Sequence, residues 1–508
     1  MASRIVQNSL LSAVAGGATL MAGFASTILV ARLLGVAATG AVAYAIWLAT
    51  MGVTLLDLGA QATLARYLPE LRQRDPVAAD DFEASLFRPY LAITLATVAV
   101  VGGLAVAFGM SPPGAGGWMS VATVGLLCVS QSLANYGLGT LRGRQAFRTA
   151  ALTTLVSMAV QLLCVIGGAL LFGEIGVLAG YGLGSAPLAL RALWLLRRPA
   201  ARSAGVDRRH LSFAAYTWAG GLASALVWSR SEVFFLQRSW GPEPVALLTA
   251  GFTFANLAAQ GPMLLTGALL PFFSERVATD RAAVDRAFAS GTRVLAFLAL
   301  PLCFGAAGVM PALIAVVFGP HFAAASLPGS IIVIAAALAA PGAVGTHVMY
   351  ARDRSDFIFL SNAVGAVLSV LAGIVVIPRY GLLGAACSRA AIQLLLVVWG
   401  FSFLRLRLKC PVPVNSLARL TVCAALCAAS ARLMLNALPG PAALVPAVVA
   451  GAAVYFISVR SLGALPEDDL ARLLALQDRI PKALRWAPTR LASYLSGGQS
   501  PMLSKRHD

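Results

Sequence analysis

The sequence predicts an all-α integral membrane protein with about 14 transmembrane helices, arranged as two parallel six-helix lobes plus a terminal helix pair. Of its 508 residues, 59% are hydrophobic and 11% are charged, and the mean hydropathy is +0.82. Too few polar groups remain to cover the surface of a soluble protein of this size, so the chain must use lipid as its solvent. The two halves of the sequence also match each other, which indicates a duplicated helical unit.

The spans are predicted to be helices because backbone groups that face hydrocarbon must bond within their own segment. Roughly 20 apolar residues cross a bilayer core, and the runs between charged residues, glycines and prolines have this length. They cover residues 8–31, 39–58, 89–109, 118–141, 149–172 and 175–196 in the first half, 211–236, 245–273, 291–311, 325–350, 357–377 and 382–404 in the second, and 417–438 and 442–459 in the terminal pair.

The internal repeat is visible at two places. The segment Arg32-Leu33-Leu34-Gly35 recurs as Arg238-Ser239-Trp240-Gly241, at an offset of 206 residues, and a second match aligns Gly176 with Gly381 at an offset of 205. Because each repeat holds an even number of spans, the two lobes are expected to be parallel repeats. The predicted domains are the lobes 1–205 and 206–410, the helix pair 411–460 and a cytoplasmic amphipathic tail, 461–508.

Basic residues predict the orientation. If the amino terminus lies in the cytoplasm, the opposite loops hold only Arg32, Arg238 and Arg379, and the other loop arginines fall on the cytoplasmic side. This is the positive-inside pattern, and it places both termini in the cytoplasm. It also accounts for the net charge of +18, so no nucleic-acid partner is inferred.

The tail after the last span is predicted to form a helix. Leu470, Leu473, Leu474 and the pair Arg485-Trp486 give it an apolar and a basic side, which is typical of a helix resting on the cytoplasmic lipid surface. A simply solvated tail is the alternative.

Two arginines inside predicted spans are candidates for binding an anionic group of a substrate. Arg230 lies in the span 211–236 and Arg389 in the span 382–404. An arginine near the middle of the membrane costs about 2.5 to 3.5 kcal/mol on insertion scales and usually faces a cavity or a partner. Its guanidinium matches phosphate oxygens. An ion pair with Glu232 is the alternative for Arg230, although residues two apart on one helix point to different faces.

Two amide pairs are candidates for binding sugar hydroxyls. Gln131 and Asn135 lie four residues apart in one span, as do Asn256 and Gln260 in another, so each pair shares a helix face. The same residue types join membrane helices to one another, and both interpretations stay open.

Two acidic residues are candidates for ion coupling. Glu232 lies within the span 211–236, and Asp57 lies at the cytoplasmic end of the span 39–58. Either could bind a proton or Na⁺, and no spacing decides between these ions. For Asp57, an ion pair with a nearby basic loop residue is the alternative.

The sequence contains no motif that is typical of a catalytic site. It has no phosphate-binding P-loop, no Ser-His-Asp arrangement or paired carboxylates in its loops, and no metal-ligand spacing. We therefore expect a protein that is not an enzyme, with no catalytic residue, no bound metal and no cofactor.

Four motifs carry a resemblance to a known family. They are Ala31-Arg32-Leu33-Leu34-Gly35-x4-Gly40, Asp57-Leu58-Gly59-x3-Thr63-x2-Arg66, Val317-Phe318-Gly319-Pro320-His321-Phe322-x2-Ala325 and Ile377-Pro378-Arg379-Tyr380-Gly381-Leu382-Leu383-Gly384-Ala385-Ala386. With them, over about four fifths of its length, the chain resembles the polysaccharide flippases of the multidrug/oligosaccharidyl-lipid/polysaccharide exporter superfamily.

The resemblance implies a carrier in the bacterial inner membrane. Such a carrier moves a polyprenyl-diphosphate-linked oligosaccharide to the outer leaflet for O-antigen, capsule or exopolysaccharide assembly. Its implied partners are membrane lipid, the lipid-linked glycan, a polysaccharide polymerase and glycosyltransferases. The alternatives are a lipid II flippase and a cation-coupled exporter of small molecules. A cation exporter would be expected to carry acidic residues at depth, whereas the balance within these spans is basic.

Overall fold

The computed structural model describes residues 2–109, 117–197, 207–228, 230–263, 266, 269–277, 279–438, 440–466 and 469. Every secondary-structure element in these residues is helical, which confirms the predicted all-α class. The helices are α1 (Ala2–Leu56), α2 (Ala60–Arg74), α3 (Pro76–Ala107), α4 (Trp118–Gly143), α5 (Phe147–Gly184), α6 (Ala186–Leu193), α7 (Arg208–Trp228), α8 (Glu232–Trp240), α9 (Pro242–Met263), α10 (Leu269–Arg276), α11 (Arg281–Gly308), α12 (Met310–Val317), α13 (Ser326–Ala339), α14 (Gly342–Ala351), α15 (Ser355–Val375), α16 (Ile377–Leu406), α17 (Val414–Ala437) and α18 (Leu444–Ser461).

Ten helical segments of the described part are long and apolar enough to cross a membrane, so the chain is a multi-pass membrane protein. Helix α1 covers nearly all of the predicted spans 8–31 and 39–58. The predicted span 175–196 is divided between α5 and α6, 211–236 between α7 and α8, and 325–350 between α13 and α14. The total of 14 spans stays a prediction, because helix length and hydropathy do not by themselves locate a bilayer. The predicted surface helix of the tail lies outside the described residues.

Single glycines turn the backbone between consecutive spans. Gly35 has φ 83° and ψ −174°, and Gly241, 206 residues later, has φ 81° and ψ −167°. This backbone conformation is strongly unfavourable for any residue other than glycine. The same conformation at the same offset shows that the first sequence match reflects a structural repeat.

The second sequence match was aligned wrongly. Gly173 has φ 60° and ψ −133°, and Gly381 has φ 55° and ψ −133°. The structural equivalent of Gly381 is therefore Gly173, and the predicted partner Gly176 is a different kind of position. Gly176 packs against the backbone of Gly168, and a methyl group there would overlap the Gly168 carbonyl. Helix packing decides which of two nearby glycines makes the turn.

The turn at Gly35 supplies a clean test of backbone strain. We expect Gly35→Ala to lower the stability of the solubilised protein by about 1 to 3 kcal/mol, because alanine must adopt a conformation open essentially to glycine alone. Nothing lies within 4 Å of the added methyl group, so no clash contributes. Gly23→Ala, in the regular part of the same helix and equally free of neighbours, should be neutral or stabilising. Thermal unfolding of both variants in detergent decides the matter, and equal losses would contradict the strain argument.

The first compact unit comprises Met1–Thr253 and Asn362–Ser388. Within it, α1 packs along α5, and α4 contacts α2, α3, α5 and α6. Its hydrophobic core has one cluster around Leu64, Phe87 and Tyr136 and another around Val30, Leu127 and Val165.

The second compact unit comprises Phe254–Ser361 and Arg389–Asp508. Helix α11 packs against α13 and α17, and α17 packs along α18. The Tyr455 hydroxyl of α18 donates a hydrogen bond of 2.9 Å to the Phe297 carbonyl of α11. The terminal helices are thus fastened to α11, while the lobe boundaries predicted from the repeat stay a prediction.

The repeat extends to the polar ends of helices. Asp75 caps α3 by accepting a hydrogen bond from the backbone N–H of Val77, and Asp280, 205 residues later, caps α11 through the N–H of Ala283. Such caps satisfy backbone donors that a helix start leaves unpaired. Sequence comparison of the halves had not shown this pair.

Ion pairs within each unit are also repeated. Arg144 after α4 donates to Asp80 at 2.8 Å, and Arg352 after α14 donates to Asp285 at 3.2 Å. Arg144 has a second acidic partner, because it also donates through Nε to Glu83 at 3.0 Å. The Glu83 side chain is only 1% exposed, whereas that of Asp285 is 23% exposed. The contact between Arg144 and Glu83 is therefore the most deeply buried of these ion pairs.

Candidate transport site

The span predicted for residues 211–236 is interrupted at Arg230. Helix α7 ends at Trp228 and α8 begins at Glu232. Arg230 itself has φ 60°, a left-handed conformation that residues other than glycine rarely adopt. The predicted continuous helix was wrong here, and with it the argument that Arg230 and Glu232 point to different faces of one helix. The polar triplet Ser229-Arg230-Ser231 within an apolar run is the sequence signal that could have indicated the break.

The side chains at this break are a cation, a hydroxyl and a carboxylate, and the cation contacts an aromatic ring of the first unit. The Arg230 guanidinium lies over the Phe252 ring of α9, with Cζ 4.8 Å from the ring centroid, which is a cation–π contact. Ser231 and Glu232 are buried, and Glu232 lies in the first turn of α8, where the helix dipole favours a carboxylate. Interrupted helices of this kind place charged groups at ion and substrate sites of transporters. Sequence reasoning identified Arg230 and Glu232 but missed Phe252.

Arg389 lies in the second unit, on the part of α16 that follows the turn at Gly381. It is 8% exposed and takes part in interactions within the structure. A buried guanidinium requires such partners. Substrate binding by Arg389 stays a prediction.

The amide candidates occupy two different settings. Gln131 and Asn135 are half-buried on α4 in the first unit, where the Gln61 side chain of α2 donates to the Asn135 carbonyl at 3.4 Å. Asn256 is half-buried and Gln260 exposed on α9 in the second unit. Sugar binding by these four residues stays a prediction.

Asp57 lies just beyond the end of α1, in a tight turn completed by Leu58 and Gly59, both with positive φ. Burial raises the pKa of the Asp57 carboxyl, and the backbone N–H groups of Gln61 and Gly59 oppose this effect. Within the described residues Asp57 makes no ion pair, so the basic loop partner considered from the sequence is not seen there. A carboxyl that gains a proton more readily than usual is suited to proton coupling.

The raised pKa of Asp57 predicts how the stability of the protein depends on pH. Because burial disfavours the carboxylate, the folded state binds a proton that the unfolded state has released, and stability falls as pH rises through the raised pKa. Asp57→Asn stays neutral and should therefore unfold at a higher Tm than the parent protein at pH 8. The difference should shrink as the pH falls toward the ordinary value of 3.8. A difference in Tm that does not change with pH would contradict this account.

The motifs of the amino-terminal region are explained by packing within the first unit. Gly40 faces the backbone of Pro242 and Gly59 faces that of Ala214, and a methyl group at either position would overlap a carbonyl oxygen. The Thr63 hydroxyl donates to the Gly59 carbonyl at 2.8 Å. Arg66, at the end of the same motif, places its guanidinium over the Phe213 ring, 4.7 Å from the centroid. These residues shape the fold, and the candidate substrate residues lie elsewhere.

A family model described as polysaccharide biosynthesis protein matches residues 29–327. No curated protein matches the chain in sequence. Among solved structures, the chain is similar to lipid II flippase MurJ in an inward closed conformation, with a TM-score of 0.67 and 14% identity over 89% of this chain and 99% of that one. It is also similar to an inward-facing multidrug resistance MATE family transporter, with a TM-score of 0.60 and 15% identity over 77% and 94% of the two chains.

A third similar structure is a transporter of the MOP superfamily from Pyrococcus furiosus, with a TM-score of 0.56 and 16% identity over 80% of this chain and 95% of that one. Identities this low establish the fold alone. The chain belongs to the polysaccharide biosynthesis protein family, and its fold is similar to that of solved transporters of the MOP superfamily.

Proposed function

We propose that this protein is a flippase that moves polyprenyl-diphosphate-linked oligosaccharide repeat units from the cytoplasmic to the outer leaflet of the bacterial inner membrane. It acts as a transporter and not as an enzyme, with both termini in the cytoplasm. The family match supports a role in polysaccharide assembly. The observation that carries the proposal is the cation at the broken helix, Arg230, held by Phe252 beside the start of α8.

The chemistry of the substrate explains why such a cation is needed. Sugars and a diphosphate must shed water to cross hydrocarbon, and an unpaired charge there costs far more than an arginine in a helix. Guanidinium groups replace part of that hydration by binding phosphate oxygens in pairs of hydrogen bonds. Glu232 and Asp57 are the proposed sites for a coupling proton or Na⁺. The amide pairs on α4 and α9 are proposed to bind sugar hydroxyls.

Proteins of similar fold carry two other kinds of substrate. The similarity to a lipid II flippase favours a second candidate, which differs only in the headgroup carried. The similarity to a multidrug transporter favours an exporter of small molecules. We prefer the lipid-linked oligosaccharide as substrate because the matching family is described as a polysaccharide biosynthesis protein.

Deleting the gene tests the proposal. We expect the lipid-linked repeat unit to accumulate on the cytoplasmic leaflet while the surface polymer disappears, and both effects to reverse on complementation. Lipid II accumulation followed by lysis would favour the second candidate. A null strain that keeps its surface polymer but becomes sensitive to cationic drugs would show that the protein exports small molecules.

A further inference from the structure

The chain leaves α18 through a short packed segment, which we call the strap and define as residues 462–466 together with Asp469. Arg419 of α17 donates hydrogen bonds to the carbonyls of Leu462 and Gly463, at 3.0 and 3.3 Å. Ala464 and Leu465 are buried. The strap therefore lies against the second unit and does not project from the end of α18.

The strap ends in a buried carboxylate that is bound by α11. Asp469 accepts a hydrogen bond from the Ser290 hydroxyl at 2.5 Å and another from Nε of Arg293, also at 2.5 Å. The Asp469 side chain is 1% exposed and that of Arg293 17%. Removing one member of such a buried pair leaves the other charge without compensation, which is strongly unfavourable.

The internal repeat places the same residue types in the first half, where Ser85 makes a different hydrogen bond. The residues 205 positions earlier are Ser85 and Arg88, the same types in the same order. In the first unit, however, the Ser85 hydroxyl donates to the Phe82 carbonyl of its own helix, and Arg88 is exposed. Ser290 and Arg293 instead turn their donors to a residue more than 170 positions away along the chain.

We propose that Ser290, Arg293 and Asp469 form a latch that fastens the start of the C-terminal tail to α11. Helix α11 also packs against α13 and α17, so a movement of α11 that takes Ser290 and Arg293 away from Asp469 opens the latch. By thermodynamic reciprocity, anything that captures the released tail favours that changed form of α11. The latch is a built-in link between the tail and the helices of the second unit, and it does not depend on which substrate is carried.

Hydrogen exchange on the full-length protein in nanodiscs tests the latch. Asp469→Ala should make the backbone amides of residues 464, 465 and 469 exchange at least about tenfold faster, because the strap then opens without breaking a buried ion pair. Exchange in α11 around Ser290 should rise as well. Arg286→Ala removes the same charge from an exposed position on α11 and should leave both regions unchanged.

A charge exchange distinguishes the latch from a general loss of stability. Arg293→Asp should open the strap as Asp469→Ala does, and the double variant Arg293→Asp with Asp469→Arg should restore slow exchange. Unchanged exchange in Asp469→Ala would overturn the latch. Faster exchange of the strap without any change in α11 would overturn the link between them. The measurement requires no glycan, so its outcome is separate from that of the proposed function.

Discussion

Replacing Arg230 or Arg389 with alanine should reduce export of the surface glycan about tenfold to a hundredfold while the protein remains inserted in the membrane. A hydrogen bond to a charged group contributes about 1.5 to 3 kcal/mol, and each 1.4 kcal/mol is a factor of ten. Alanine removes this contribution without placing a new polar group in lipid. The measurement is the amount of surface polymer per molecule of protein in a complemented null strain.

Variants at the same position separate charge from backbone strain. Arg230 has φ 60°, so Arg230→Gly removes the charge while keeping the conformation at no cost. It should lose export as fully as alanine does. Lysine should restore export partly if charge alone matters, and poorly if paired hydrogen bonds to phosphate matter.

Arg432→Ala removes an arginine from an exposed position on α17 and should export normally. Normal export by the double variant of Arg230 and Arg389 would end the proposal that they hold the headgroup.

The largest loss of stability is expected from Arg144→Ala. The substitution leaves the Glu83 carboxylate, 1% exposed, in a low-dielectric environment without its partner. Breaking a buried ion pair in this way costs about 3 to 5 kcal/mol. We therefore expect a large fall in the Tm of the solubilised protein, together with poor accumulation in the membrane.

The repeat provides a matched control for this experiment. Arg352→Ala removes the equivalent arginine, but Asp285 is 23% exposed and keeps Arg281 within 3.9 Å. Its loss should be smaller, about 1 to 2 kcal/mol, because it removes a partly exposed pair and the hydrogen bond from Arg352 to the Leu408 carbonyl. Adding Glu83→Gln to Arg144→Ala should recover much of the loss, because the buried charge is then absent. Equal losses for the two arginines would contradict the role given to burial.

Much of the fold could be predicted because its causes are local. A long apolar segment must be helical in lipid whatever its neighbours are, so the helical class followed from composition and run length alone. The recurrence of Gly35 at Gly241 was also visible in the sequence, and the structure shows that both glycines turn the backbone, in a conformation that favours glycine. The candidate residues Arg230 and Glu232 were found because charged groups inside an apolar run are costly and rarely accidental.

Other features depend on contacts between distant residues. Nothing local distinguishes Gly173 from Gly176, and the packing of Gly176 against Gly168 decides which one turns. The arginine at the break contacts the ring of Phe252 from another helix, and the role of Glu83 depends on Arg144, 61 residues away.

The sequence by itself determined that this protein is a helical membrane protein with an internal repeat, and it identified the charged residues inside its apolar runs. The tertiary structure decided where a helix breaks, which glycines turn and that Asp469 is bound by α11. The physical reason is that apolar length and glycine conformation are properties of single segments. A strained arginine or a buried carboxylate is stable only when another part of the chain supplies its partner.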